Sequence, residues 1–427
     1  MTARTTASST RTALVIGGGV AGLVAAMALH KAGIEARVYE AYDAHSGARG
    51  GGGGGGRGGG RGGAMTIAPN GQQALEAIDA AEAVRTIGTP VTALALRSWT
   101  GRHLAQLAPP ADLPATCFVW RTELHEAIEA EASSRGIPVH KGKRLLDATD
   151  TGTGVTARFS DGSQAKADIL IGADGLRSTV RALIDPSFPK PHYAGTLTFT
   201  ARVPKTELPS TEGVLYMCYG KKAYFAYQIF DDASAAWSVT LPHREPLTQA
   251  EAQAVGAGEW LKRLREAFTD DRTPAPDLLA DTSPDDVLIT GPTETMPPVP
   301  TWSRGRMILI GDAAHAMSPT SGQGASLASE GAVQLARCLR DLPVGKAFKA
   351  YESLRRPRVD RILKHTTATA TATSAAARTA TPKPAGPLSR ALRDALLPVA
   401  TKVGGAGGAV WGAWQFEHRI EWDERVG

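Results

Sequence analysis

Residues 12–40 read TALVIGGGVAGLVAAMALHKAGIEARVYE, and this stretch decides the fold. Thr12 to Ile16 is an apolar run of strand length, three glycines follow, and Val20, Leu23, Val24, Met27 and Ala28 then fall on one helical face. After Gly33, Ile34 to Glu40 reads as a second strand, so the whole is a right-handed strand–helix–strand unit on a parallel sheet. Gly17-Gly18-Gly19-Val20-Ala21-Gly22 places G-x-G-x-x-G at the strand–helix junction. Gly17 permits the tight turn, Gly19 lets backbone approach a pyrophosphate, and Gly22 lets the helix pack on the strand. The amides of Val20 and Ala21 open a helix whose N-terminus attracts an anion. Glu40, at the end of the second strand, is placed to accept hydrogen bonds from ribose hydroxyls. The unit predicts an ADP-containing cofactor and does not separate FAD from NAD.

The 427 residues can bury a large core, and 47 basic against 42 acidic side chains are spread along the chain rather than gathered into a stripe. That argues against a nucleic-acid partner. Cys117, Cys218 and Cys338 stand far apart with no metal or redox spacing, and the histidines lack ligand spacing, so no metal site is expected and a reducing, cytoplasmic setting is. Residues 1–11 have no signal-peptide core, and no run reaches the roughly 18–20 apolar residues of a membrane span. The Gly47 to Gly63 tract, broken only by Ala48 and three arginines, cannot pack and reads as a loop; its RGG-like triplets are too short to outweigh that reading. Helices are expected over Arg121–Ser134, Thr248–Phe268, Gln323–Arg340 and Lys346–Lys364, with a hairpin turning at Asp161-Gly162. From about Pro191 to Pro242 the sequence turns to short aromatic-rich runs, a second, antiparallel lobe. Tyr216, Tyr224, Tyr227 and Trp237 are its pocket candidates, although a strand sends half its side chains to each face and a core has equal claim on them.

Two further motifs sharpen the cofactor. Met307 to Ile310 is an apolar strand running into Gly311-Asp312-Ala-Ala-His315, which sets an acid at the carboxyl end of a strand; Pro319, Gly322, Gly324 and Ala325 then lead into a helix. His315 is read as fixing the turn rather than as a catalyst. Asp168-Ile-Leu-Ile-Gly-Ala-Asp174-Gly175-Leu-Arg177-Ser178-Thr-Val-Arg181 ends another buried strand. These residues, together with Arg121 and Leu124 at a helix start, resemble the GD, DG and arginine motifs of the class A flavoprotein monooxygenases, the family of para-hydroxybenzoate hydroxylase and the salicylate-hydroxylase-like enzymes. The resemblance runs from Thr12 to about Arg358. It departs at the Gly47 to Gly63 tract, and at Gly331, where an acid often follows Glu330.

The resemblance implies a Rossmann-type FAD-binding domain with an inserted antiparallel substrate domain and C-terminal helices. The corresponding divisions are a tail to residue 11, FAD-binding parts at 12–190 and 291–365, a substrate domain at 191–290, and a linker and helical segment at 366–427. Asp312 would bind the FAD ribityl chain, the Pro319 to Ala325 stretch would line the flavin ring, Arg121 would contact phosphate or ribose, and Asp174 would support FAD and NAD(P)H binding. The implied reaction takes NADH or NADPH and O2, adds oxygen at the flavin C4a position, and hydroxylates or epoxidises an aromatic or polyketide-like small molecule of secondary metabolism, in a monomer or dimer. No acid–base residue is assigned. The alternative keeps FAD but reduces, halogenates or cyclises its substrate.

Overall fold

In the computed structural model, which describes residues 10–42, 63–108, 110, 112–317, 322–373, 386–403 and 412–427, Thr12–Ile16 lies inside a six-stranded sheet. The order is Ser303–Arg304, Met307–Leu309, Ile169–Gly172, Thr12–Ile16, Glu35–Tyr39, Val139–His140, and every neighbour is parallel except the first pair. Strands covered on both faces are apolar throughout, which is why TALVI, ILIG and MIL carry no alternation. Strands from both ends of the sequence thus close one sheet, and their carboxyl ends lie side by side.

The second sheet has seven strands, ordered Val287–Thr295, His192–Val203, Ala235–Pro242, Tyr224–Ile229, Val214–Tyr219, Ala93–Ser98, His103–Leu107. It is antiparallel except where Val214–Tyr219 runs parallel to Ala93–Ser98. The Ala93–Leu107 hairpin comes from well before the aromatic-rich region that announces this lobe. One face, carrying Leu197, Phe199, Phe225, Tyr227, Trp237 and Val239, is sealed under Ala257–Phe268 and Ala275–Asp281. The Thr248–Phe268 expectation resolves into two helices, Gln249–Ala254 and Ala257–Phe268, because Gly256 between them adopts φ +87°. Arg121–Ser134 is helical as expected, and Asp161-Gly162 turns between Val155–Phe159 and Gln164–Ala167.

A buried ion cluster fastens the Gly324–Asp341 helix to Val344–Thr373 and to the Pro69–Glu76 helix. Glu330, in the middle of Gly324–Asp341 and fully buried, accepts from Arg355, from Arg358 (2.7 and 2.8 Å) and from Asn70 Nδ2 (2.5 Å). Burial opposes its ionisation, but the Arg355 and Arg358 guanidiniums prevail and hold its pKa at about 2. Arg358 also donates to the carbonyl of Gln415, and Arg340 to those of Trp422 and Glu424, so residues 412–427 strap back across these helices. Trp414 lies under the Arg361 guanidinium at 3.7 Å, and Trp422 packs between Lys31 and Arg340. Both tryptophans therefore pack on the domain.

Close by, burial and then the charge of Arg355 lower the pKa of His315 to about 4. An unfolded histidine binds its proton near pH 6.5, whereas folded His315 does not until about pH 4, so acid favours the unfolded chain across that window. Glu330, protonated near 4.5 when unfolded and near 2 when folded, extends the same trend downward. The thermal midpoint of the apoprotein should fall between pH 7 and pH 4.5, and calorimetry of His315→Gln should find the upper part of that slope flattened. Glu330→Ala, which leaves two guanidiniums facing no carboxylate, should cost about 3–5 kcal/mol in denaturant unfolding.

Candidate functional site

The three glycines of the first motif do three different things. Gly17 has φ +106°, and a Cβ there would lie 2.4 Å from the carbonyl oxygen of Ala173. At Gly22 a Cβ would lie 1.9 Å from the Gly17 carbonyl oxygen, so the helix sits hard against the turn. Around Gly19 there is open space. Val20–Lys31 starts at Gly19 with no side-chain cap, leaving first-turn N–H groups toward that space, with Val20 and Ala21 half-buried beside it. Glu40 is already engaged: Oε2 accepts from Gly18 N–H at 2.7 Å and Oε1 from Tyr42 N–H at 2.9 Å. A carboxylate oxygen has a second lone pair, so ribose hydroxyls can still be accepted.

The other two motifs arrive on the neighbouring strands. The Ala173 amide donates to Ile16 and the Ile310 amide to Gly172, which staples the three loops together. At Gly311, φ is +57° and a Cβ would lie 2.8 Å from Cβ of Ala21, so the first and last motifs touch across nearly three hundred residues of sequence. Asp312 is exposed to the groove in front of it yet walled by protein; this enclosure raises its pKa, and the positive charge of Arg121 pulls the other way. Arg121 opens its helix directly from the Thr116–Trp120 strand, and its amide donates to Gly63 at 3.2 Å. Gly324–Asp341 also begins without a side-chain cap; Gly322 takes φ +63°, open space surrounds Gly324, and Ala325 is half-buried. Pro319 lies outside the described residues, as does the tract at 47–62.

Asp174 is engaged within its own loop. Its carboxylate takes the Ser178 hydroxyl at 2.5 Å and the amides of Thr179 and Val180 at 2.7 and 3.1 Å, so it organises the start of the Thr179–Ile184 helix. Arg181 of the same motif is buried and donates to the Ala313 carbonyl, linking the second loop to the third. His125, which no motif singled out, sits one turn beyond Arg121 with Nε2 2.7 Å from the Gly18 carbonyl oxygen.

Strand parity corrects the pocket candidates. Tyr227 and Trp237 are in the helix-covered core, the latter donating Nε1–H to Thr282 at 2.8 Å, and Tyr216 stacks on Tyr227 beneath Arg97. Tyr224 points the other way, with Thr198, Met217, Ala226, Ser238 and Thr240, all half-buried. The Tyr224 hydroxyl is buried without a hydrogen-bond partner among the described residues, and burial pushes its pKa well up. This half-open face meets the first domain where Gly63 abuts Thr200. At its other end the Pro387–Val403 helix closes on it, with Leu397 against Leu96 and Leu104, and Arg393 over the Tyr219 ring at 4.6 Å.

An FAD molecule fits these residues. Two uncapped helix starts, two open glycines and an acid enclosed in an open groove accept a diphosphate, a ribose and a polyol chain. Comparison with known proteins decides the matter: the FAD binding domain family model matches residues 10–366. The chain belongs to the class A FAD-dependent monooxygenases. It is 30% identical over 363 residues to 6-hydroxynicotinate 3-monooxygenase of Pseudomonas fluorescens, covering 82% of this chain and 88% of that one. Against 3-amino-4-hydroxybenzoate 2-monooxygenase PtnB3 of Streptomyces platensis it is 29% identical over 415 residues, covering 91% and 93%. A solved structure of Klebsiella pneumoniae HpxO complexed with FAD and uric acid superposes with a TM-score of 0.69 at 26% identity, over 83% of this monooxygenase and 86% of that protein.

A hydrogen bond involving a charged group contributes roughly 1.5–3 kcal/mol. In this flavoprotein Asp312→Ala should therefore weaken FAD binding by about 10- to 100-fold in a fluorescence titration. Asp174→Ala, which removes a helix cap, should instead lower stability by about 1 kcal/mol in denaturant unfolding.

Proposed function

We propose that this monooxygenase draws electrons from NADH or NADPH and places one atom of O2 on a planar small molecule seated against the half-open face of the seven-stranded sheet, the other atom leaving as water. The observation that carries this reading is the contrast between the two faces. One is sealed by helices, while the other holds a row of half-buried small and polar side chains between the Gly63–Thr200 junction and the Pro387–Val403 helix. Bound FAD supplies the redox and oxygen chemistry. What the chain contributes is position and dryness: Asp312, Arg121 and the two uncapped helices hold the cofactor, and the C-terminal helix limits water at the far end of the face.

The relatives named above act on hydroxynicotinate and aminohydroxybenzoate, and uric acid sits in the solved relative. A hydroxylated or oxo-bearing aromatic ring suits this face, where Ala226 and Ser238 leave room for a flat molecule and Tyr224, Thr198, Ser238 and Thr240 offer hydroxyls. The chain's own Asp174 to Arg181 segment, with Arg177 exposed beside Glu294, is the place we assign to the approach of the nicotinamide donor. We assign residues 191–290 with the Ala93–Leu107 hairpin to substrate and the remainder of 12–365 to FAD, in a cytoplasmic monomer or dimer.

Aromatic acids and phenols that accelerate NAD(P)H oxidation should be screened under labelled O2. Incorporation of one labelled atom into product is expected, and Tyr224→Phe should raise KM about 5- to 20-fold, the loss of one hydrogen bond in a buried site. Stimulated NAD(P)H oxidation whose oxygen all appears as hydrogen peroxide, with no labelled product from any compound, would leave the non-oxygenating alternative.

A further inference from the structure

We propose that His125 is a cofactor-positioning residue, which fixes the Gly18 peptide so that the amides after it are aimed at the FAD diphosphate. The Gly18 peptide is gripped from two sides: its N–H donates to Glu40 Oε2 at 2.7 Å, and its carbonyl oxygen lies 2.7 Å from His125 Nε2. A carbonyl can only accept, so Nε2 carries the hydrogen. The other ring nitrogen, Nδ1, lies 3.6 Å from Glu129 Oε2, beyond hydrogen-bond distance, and Lys141 Nζ pairs with Glu129 Oε1 at 2.5 Å. A chain of contacts thus runs from Lys141, beyond the edge strand of the sheet, through Glu129 and His125 to the middle of the glycine turn.

The grip matters because no side chain of the turn itself can hold the Gly18 peptide. Gly17, Gly18 and Gly19 have no side chains, and glycine backbones lose the most conformational freedom on ordering. Gly19, next in the chain, faces open space and starts the uncapped helix. If the Gly18 peptide rotates, the amides of Gly19 and Val20 rotate with it, and the anion seat must be ordered at the expense of cofactor affinity. Glu40 cannot do this alone, since it is also the group expected to face the ribose. His125 stands on the face of its helix that carries Arg121 one turn earlier, so a single helix delivers both a charge and a clamp to the cofactor.

The test titrates apoprotein with FAD, with ADP and with riboflavin, in the wild type and in His125→Leu, His125→Gln and His125→Asn. Gln carries its amide nitrogen at the reach of Nε2, and Asn falls short of it. The expected result is about tenfold weaker binding of both FAD and ADP by His125→Leu, unchanged riboflavin binding, recovery to within about threefold in His125→Gln, and none in His125→Asn. Wild-type affinity in His125→Leu, a loss for FAD without one for ADP, or equal recovery by Asn and Gln would overturn the proposal. Should His125→Leu not fold, the Gln and Asn comparison decides it alone.

Discussion

Three close contacts that leave no room for a side chain govern this molecule. Gly17 meets the Ala173 carbonyl, Gly22 meets the Gly17 carbonyl, and Gly311 meets Ala21. Each lies where a parallel strand ends and its loop turns off, and packing at such sites tolerates no added methylene. Because the contacts are so close, loops belonging to residues 17–22, 172–175 and 311–315 form one continuous floor. The uncapped helix starts, the enclosed Asp312 and the seat for FAD follow from that convergence.

Electrostatics serve the same end from behind. Glu330 holds no cofactor, yet it joins the helix that begins at Gly324 to Asn70, to two arginines of the next helix and, through Arg358, to the C-terminal peptide. A carboxylate so deeply buried is tolerable only because its hydrogen-bonding capacity is filled and two positive charges face it. The helix start at Gly324 is therefore positioned by contacts some distance behind it.

Much of this was legible in the sequence because glycine patterns and apolar strands encode it directly. The first motif, the Asp312 loop and the Arg121–Ser134 helix lie where residue type alone puts them, and the family they resemble is the family to which the chain belongs. What escaped depends on partners. Alternation implies that aromatic strands have two faces but not which is covered, so Tyr227 and Trp237 were indistinguishable from Tyr224 until the helices over one face were placed. Asp174 could not be seen to cap its own helix, since the same spacing serves a ligand or a backbone amide. His125 carried no signal because its partner is a carbonyl, common to every residue. The Ala93–Leu107 hairpin joined the distant sheet through a parallel pairing that no local pattern announces.

The order of the six-stranded sheet also bears on how the chain comes to be assembled. Ile169–Gly172 pairs on one side with Thr12–Ile16 and on the other with Met307–Leu309. During synthesis the first pairing becomes available early, whereas the second must wait for the whole intervening lobe to be made, so an apolar strand edge stands open through that interval. A nascent chain in that state has a glycine turn but no Asp312 loop opposite it. The strand pairing that closes last is thus the one that brings the Asp312 loop to the glycine turn.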